Sequence, residues 1–290
     1  MDRARDFEQH RGLLFSIAYR MLGSASDAED IVQEAFLRWE HAADADVQSP
    51  RAWLSTVVTR LAIDHLRSAR VQRETYVGPW LPEPLLTEHA PSASERLALA
   101  ESLSMAFLVM LETLGPVERA VFLLREVFDY DYEEIAGIVG KSADNCRQML
   151  RRARERVVAG RPRFEAKAEE HTRLTQQFLA TAATGDVPAL VALLAKDATL
   201  WSDGGGKVTA ARKPIHGADR VARFVTGVLR KGAAKAMDVR LMRVNGADGL
   251  VAYVGGQARF VVSLDVGDGL IRALRIVVNP DKLRAIPPLQ

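Results

Sequence analysis

Between Lys141 and Arg163 the chain carries Lys141, Arg147, Arg151, Arg152, Arg154, Arg156, Arg161 and Arg163, against only Asp144 and Glu155. Guanidiniums at that density suit one chemistry: neutralising phosphates and donating paired hydrogen bonds to guanine edges. The stretch ends a three-part pattern. "PVERAVFLLREVF" from Pro116 repeats apolar residues at helical spacing, "DYEEIAGIVG" is a short second helix, and "SADNCRQMLRRARERVV" restarts at Ser142. Pro116 suits a first helical position, followed by Glu118. Asp131 with Glu134, and Ser142 with Asn145, place capping side chains three residues apart. Gly140 supplies the positive φ that ends a helix in a tight turn. A basic helix projected by a short turn from a hydrophobic support helix is a helix-turn-helix shaped for a major groove. Similar patterns occur in all-α proteins that never touch DNA, so the arginines count as phosphate ligands only if the rest of the chain needs a nucleic acid.

A second constellation stands nearer the start. "LLFSIAYRML" is an amphipathic helix ending at Gly23, and "SASDAEDIVQEAFLRWEHA" follows, with Ser26 and Glu29 spaced as a capping box. Pro50 then opens "RAWLSTVVTRLAIDHLRSARVQR". Asp27, Glu29, Asp30, Glu34 and Glu40 dominate the earlier of these two helices; Arg51, Arg60, Arg67, Arg70 and Arg73 dominate the later one. Carboxylates on one helix and guanidiniums on the next suit an adaptor that grips a basic protein surface and a polyanion together.

The elements that must position these groups occupy a chain of 290 residues, long enough for two or three domains. A net charge of +2 names no partner by itself. One cysteine, Cys146, excludes an intramolecular disulfide and fits a reducing compartment. Its small side chain reads as a buried residue rather than a redox switch. The charged N-terminus has no signal-peptide core, and no run reaches a membrane span of roughly 20 apolar residues, so a cytoplasmic protein with no membrane partner is expected. "YVGPWLPEPLLTEHAPSASE" carries Pro79, Pro82, Pro84 and Pro91 and marks a linker. Tyr76, Trp80, Leu81, Leu85 and Leu86 make it too apolar to stay in water, so it is expected to dock. Helical pattern resumes near Glu95. Beyond Pro162, two helices, a strand–glycine turn–strand at "ATLWSDGGGKV", a further helix and an alternating meander describe an α+β domain curled around a pocket.

On these motifs the chain resembles an extracytoplasmic-function sigma factor, the promoter-recognition subunit of bacterial RNA polymerase. "DAEDIVQEAFLRW" is similar to that family's second region, which binds the polymerase clamp helices; "PRAWLSTVVTRLAIDHLRSAR" resembles the portion that melts and reads the minus-10 element. The helix-turn-helix resembles the fourth region, which reads the minus-35 element. The C-terminal block is similar to SnoaL-like domains, relatives of polyketide cyclases and ketosteroid isomerases, and a sigma subgroup carries such a domain fused. Its marks are "YVGPWLPEP", "DGGGK" and "NPDKL". Many family members carry asparagine shortly before "DHLR", where this chain has Val58, Thr59 and Arg60, which leaves the minus-10 preference open.

The resemblance implies a multidomain fold class: two all-α helical domains, the second a helix-turn-helix, joined by a Pro-rich linker and followed by an α+β SnoaL-like cone with a curved antiparallel sheet. The expected boundaries are 1-74, 75-94, 95-162 and 163-290. It implies core-polymerase contacts at Asp30, Gln33, Glu34 and Phe36, minus-10 contacts at Arg60, Asp64, Arg67 and Arg70, and minus-35 contacts at Ser142, Asn145, Arg147, Gln148, Arg151 and Arg152. Trp53 reads as core rather than a base-stacking platform, and Arg154 and Arg156 as solvent or phosphate groups. Regulatory contacts are expected at Trp80, Leu81, Pro82, Asp203, Lys207, Asn279, Asp281 and Lys282. The partners implied are the polymerase clamp helices and flap, promoter DNA, and the chain's own C-terminal domain acting on the linker and sigma domains, with a small-molecule ligand conceivable in the C-terminal pocket and a monomer when free. No cofactor, metal or catalytic residue is expected, because the six histidines are scattered. Two other readings stay open: a ligand-sensing helix-turn-helix regulator, and a C-terminal domain with cyclase or isomerase activity, for which Asp203, His216 and Asp219 are the candidate bases.

Overall fold

The computed structural model describes residues 3–42, 47, 49–87, 103–160, 167–230 and 237–289; side chains at 69–74 and 158–160 are not described. The helical restart near Glu95, Pro91, Arg161 and Arg163 fall outside the described residues, as do the side chains of Arg70 and Arg73. Two compact units emerge: Met1–Thr75 with Leu108–Arg161, and Tyr76–Phe107 with Pro162–Gln290. The helical segments on either side of the linker thus pack as one unit, and the linker's described part packs with the C-terminal domain.

The first unit begins with α1 (Arg3–Leu22), α2 (Ala25–Glu40) and α3 (Pro50–Glu74). Each buries one stripe at helical spacing: Leu14, Ile17 and Met21; Ala28, Ile31, Val32, Ala35 and Trp39; Leu54, Val58 and Ala62. Trp39 is fully buried, donates Nε1–H to the Arg3 carbonyl at 2.8 Å and packs on Trp53 with ring centroids 5.4 Å apart. The cap of α2 is Ser24, not Ser26: its Oγ accepts from the Asp27 N–H at 3.2 Å. Both serines precede an acidic residue by three positions, and the first closes the turn left by Gly23, whose φ is +66°.

After α4 (Met105–Leu111) come α5 (Pro116–Glu126), α6 (Tyr132–Val139) and α7 (Ala143–Gly160), the helix-turn-helix. Asp131 Oδ1 accepts from the Glu134 N–H at 2.8 Å while Glu134 accepts from the Asp131 N–H at 2.9 Å, a complete capping box. Gly140 ends α6 at φ +66°, and Ser142 Oγ accepts from the Asn145 N–H at 3.3 Å at the start of α7. The buried face of α7 is Cys146, Leu150, Ala153 and Val157.

The second unit holds α8 (Ala168–Thr184), α9 (Val187–Leu193), α10 (Ala218–Arg230) and a six-stranded sheet ordered β2-β1-β6-β5-β4-β3. The strands are β1 (Leu194–Asp203), β2 (Ile215–His216), β3 (Met237–Val244), β4 (Ala247–Val254), β5 (Gln257–Gly267) and β6 (Leu270–Val277). Strands β3 to β6 form the expected antiparallel meander, turned at Asn245-Gly246 and Asp268-Gly269, all at positive φ as a two-residue hairpin requires. Two features depart from the expectation. "DGGGKV" turns at Gly204–Lys207 without entering a strand, and β1 pairs parallel with β6. One sheet face packs against the helices through Leu174, Phe178, Leu190, Leu200, Val221 and Leu274.

Candidate nucleic-acid and polymerase interfaces

The arginines of α7 divide by what they touch. Arg154 pairs with Glu126 at 2.7 Å and Arg156 with Glu118 at 2.7 Å, both on the support helix α5. These two are exposed, as expected, and also tie α7 to the support helix. Arg147 is crowded: it bonds Asp144 at 2.6 Å, approaches Glu133 at 3.9 Å and lies over the Tyr132 ring at 5.0 Å. Arg125 covers the same ring at 5.2 Å, so two guanidiniums flank Tyr132. Arg151 makes an exposed i,i+4 pair with Glu155 at 3.3 Å. Ser142, Gln148 and Arg152 are exposed and Asn145 half-buried, on the side of α7 open for a groove.

The described minus-10 candidates on α3 are all exposed, but Arg60 is already engaged within the unit. Arg60 donates from Nε to the Ile138 carbonyl and from Nη2 to the Gly137 carbonyl, both at 2.9 Å. Those carbonyls belong to the last turn of α6, where the helix dipole favours a cation. Asp64 and Arg67 pair at 3.0 Å and are both exposed. Beside Arg60, the Tyr130 hydroxyl donates to Ser55 Oγ at 2.7 Å, and Arg51 lies 5.3 Å over the Tyr130 ring. Further along, Arg119 donates to the Met21 carbonyl at 2.6 Å and pairs with Glu112 at 2.8 Å, while Arg20 lies 5.5 Å over Phe128. Burial pulls the guanidiniums of Arg20 and Arg119 down to about 10, and both stay charged at neutral pH. Sequence reasoning missed Ser55, Arg119, Tyr130 and Tyr132; the apolar period of α5 and the turn before α6 gave no sign that these groups meet α1 and α3.

On α2, Asp30 and Gln33 are exposed, while Glu34 is half-buried and pairs with Arg38 at 2.8 Å. Gln33 and Phe36 line a groove of about 280 Å³ with Phe7, Glu8, Arg11, Glu29 and Val32. Phe36 meets Phe7 edge-on at 4.8 Å, and Leu37 beside it is 50% exposed. The groove thus combines aromatic and aliphatic side chains with charged ones.

In the second unit the linker is held at two points, the end of β1 and the β3–β4 turn. Its first anchor is Asp203 at the end of β1, whose carboxylate is fully buried. Oδ2 accepts from the Leu81 N–H at 2.8 Å and from Lys282 Nζ at 2.7 Å; Oδ1 accepts from the Gly205 N–H at 3.1 Å and from the Tyr76 hydroxyl. Lys282 also donates to the Leu81 carbonyl and sits 4.2 Å over Trp80 and 5.1 Å from the Tyr76 ring. Asn279 donates to the Tyr76 hydroxyl at 3.0 Å, Lys207 pairs with Asp281, and Pro82 and Glu83 are buried. Burial, then the bond to Asp203, pushes the Tyr76 hydroxyl well above its usual pKa, so it remains a donor. Gly205 is placed by need: at φ +57°, a Cβ there would lie 2.3 Å from Asn279 Nδ2. The second anchor is the β3–β4 turn. Leu85 and Asn245 exchange hydrogen bonds at 2.8 and 3.1 Å, Leu86 bridges to Val244, and Thr87 bonds Arg243 and Gly246 at 3.0 and 2.9 Å.

The three candidate bases do not converge. Asp203 is committed to the linker, His216 is exposed with Nδ1 3.1 Å from Thr199 Oγ1, and Asp219 is exposed and paired with Arg223 at 2.8 Å. Among the described residues, no cluster of His, Cys, Asp and Glu could hold a metal, and no helix is long and apolar enough to cross a membrane.

A helix-turn-helix, an acidic helix and an α+β domain holding the linker are the parts expected of a transcription-initiation protein. The family comparisons agree. Residues 7–71 match Sigma-70 region 2, and residues 104–157 match Sigma-70, region 4. The chain is 38% identical to the ECF RNA polymerase sigma factor SigJ of Mycobacterium tuberculosis, with 97% of this chain and 93% of that one covered. It is 33% identical to the probable ECF RNA polymerase sigma factor SigI of that organism, covering 95% and 94%. The crystal structure of the M. tuberculosis extracytoplasmic function sigma factor SigJ superposes with a TM-score of 0.78 at 36% identity, over 99% of this chain and 100% of that one. The chain belongs to the extracytoplasmic-function sigma factors of bacterial RNA polymerase. Its C-terminal α+β domain lies within the part of the chain that superposes on the SigJ crystal structure. Members of the family bind RNA polymerase and direct initiation at promoters, and they are not enzymes.

Proposed function

We propose that this sigma factor is tuned by its own C-terminal domain, which holds the linker between the two DNA-reading regions and so sets how far they can separate. The observation that carries the reading is the buried Asp203 carboxylate, bound at once by Tyr76 and Leu81 of the linker and by Lys282 of the C-terminal domain. In this reading α2 docks on the clamp helices through Asp30, Gln33, Glu34 and Phe36. Arg60, Asp64, Arg67 and Arg70 meet the minus-10 element, and α7 enters the major groove at minus-35 while its domain rests on the flap. Arg60 gives its Nε and Nη2 donors to the α6 carbonyls, so promoter engagement that reorients its guanidinium would loosen α3 from α6.

Replacing Trp80 with alanine removes the ring over Lys282, an interaction of about 1–2 kcal/mol when largely desolvated. Promoter-dependent run-off transcription with core polymerase is expected to change several-fold in this variant, with core binding intact. Unchanged transcription, together with unchanged protease resistance of residues 76–87, would remove the linker from the account.

A further inference from the structure

The face of α7 opposite its buried stripe presents Asp144, Gln148, Arg151, Arg152 and Glu155. Four of the described arginines on this helix already hold carboxylates: Arg147, Arg151, Arg154 and Arg156. A paired arginine carries its carboxylate towards the phosphates and base acceptors, which weakens its attraction to DNA. Among the described residues, Arg152 is the arginine of α7 without an acidic partner. Gln148, one turn earlier on the same face, has an exposed amide with no recorded bond among the described residues.

We propose that Gln148 and Arg152 set base choice at the minus-35 element, Gln148 selecting adenine and Arg152 guanine, and that Arg147 takes no part in that choice. The inference rests on α7 being the groove-reading helix. The chemistry is that of paired hydrogen bonds: a glutamine amide matches N6 and N7 of adenine, and a guanidinium matches O6 and N7 of guanine. Four residues of helix rise about 6 Å. Bases along one strand are spaced about 3.4 Å apart. The two selected bases therefore lie within about two steps of each other. The Arg147 guanidinium is already taken by Asp144 and lies over the Tyr132 ring.

The test is selection of promoters by holoenzyme assembled from core polymerase and the full-length protein, with the minus-35 positions randomised and the minus-10 element fixed. Wild type, Gln148→Ala, Arg152→Ala and Arg147→Ala are compared; all three side chains are exposed, so the variants keep the fold. Wild type should enrich an adenine and a guanine within about two steps. Arg152→Ala should lower the guanine preference on the order of 10-fold and Gln148→Ala the adenine preference, each leaving the other base in place. Arg147→Ala should leave both preferences intact. Loss of a base preference in Arg147→Ala, or a uniform loss across all sequences in Arg152→Ala, overturns the assignment while leaving α7 as the groove helix. Identical minus-35 profiles in all four proteins, with holoenzyme still forming, overturn the assignment and the groove reading together.

Discussion

Replacing Asp203 with alanine is expected to free the linker from the C-terminal domain. The carboxylate accepts from Leu81, Lys282, Gly205 and Tyr76 in a site closed to water. Without it the Lys282 ammonium, 13% exposed, loses its buried counter-charge while its contacts to the Leu81 carbonyl and two aromatic faces remain. Removing one partner of a buried ion pair costs about 3–5 kcal/mol, and that cost falls on the docked state alone once the linker can leave. Limited proteolysis should then cut between Tyr76 and Thr87 far faster than in wild type, and the C-terminal unit should unfold at lower denaturant. Asp203→Asn should fall between the two, because an amide keeps an acceptor but cannot balance Lys282. Wild-type protease resistance in Asp203→Ala would mean that the second anchor alone, at Asn245 and Thr87, holds the linker.

Arg60→Ala is expected to open the first unit. Two bonds from one guanidinium to the carbonyls of Gly137 and Ile138 join α3 to α6. Charge-assisted hydrogen bonds contribute about 1.5–3 kcal/mol. Arg60 is exposed, so solvent screening reduces its net share to about 1–2 kcal/mol. That is enough to shift an open–closed equilibrium roughly 5- to 30-fold. Fluorophores on α3 and α6 in the free full-length protein should report a larger mean separation in the variant. A distance distribution identical to wild type would show that the Tyr130–Ser55 and Arg119–Met21 contacts suffice without Arg60. Transcription is the poorer readout, since Arg60 in the open form also serves the minus-10 element.

What could be read from the sequence was what depends on near neighbours. The capping box of Asp131 and Glu134, the stop at Gly140 and the Asn245-Gly246 hairpin turn each rest on a few consecutive residues, and each stands where the pattern put it. The same local logic misplaced the cap of α2, because Ser24 and Ser26 offer the same spacing to an acidic residue. The linker's docking was legible from the cost of exposing Tyr76, Trp80 and Leu81. Its second anchor was not, since Asn245 looks like any turn asparagine until Leu85, 160 positions away, meets it. The parallel pairing of β1 with β6 was equally hidden, because alternation sets which face is buried but not which strand lies alongside. Arg60 shows the same limit at the candidate site: a basic residue on an amphipathic helix marks a charge, and only the fold shows that α6 carbonyls receive it.

The most direct test of the central claim is run-off transcription with core polymerase from a promoter the holoenzyme selects, comparing the full-length protein with a chain ending at Arg161. If the C-terminal domain sets the separation of the two DNA-reading regions, both proteins bind core while their promoter-dependent output differs on the order of five-fold or more, the change that about 1 kcal/mol of interdomain coupling produces. Equal output from the two, with equal core binding, would contradict the account.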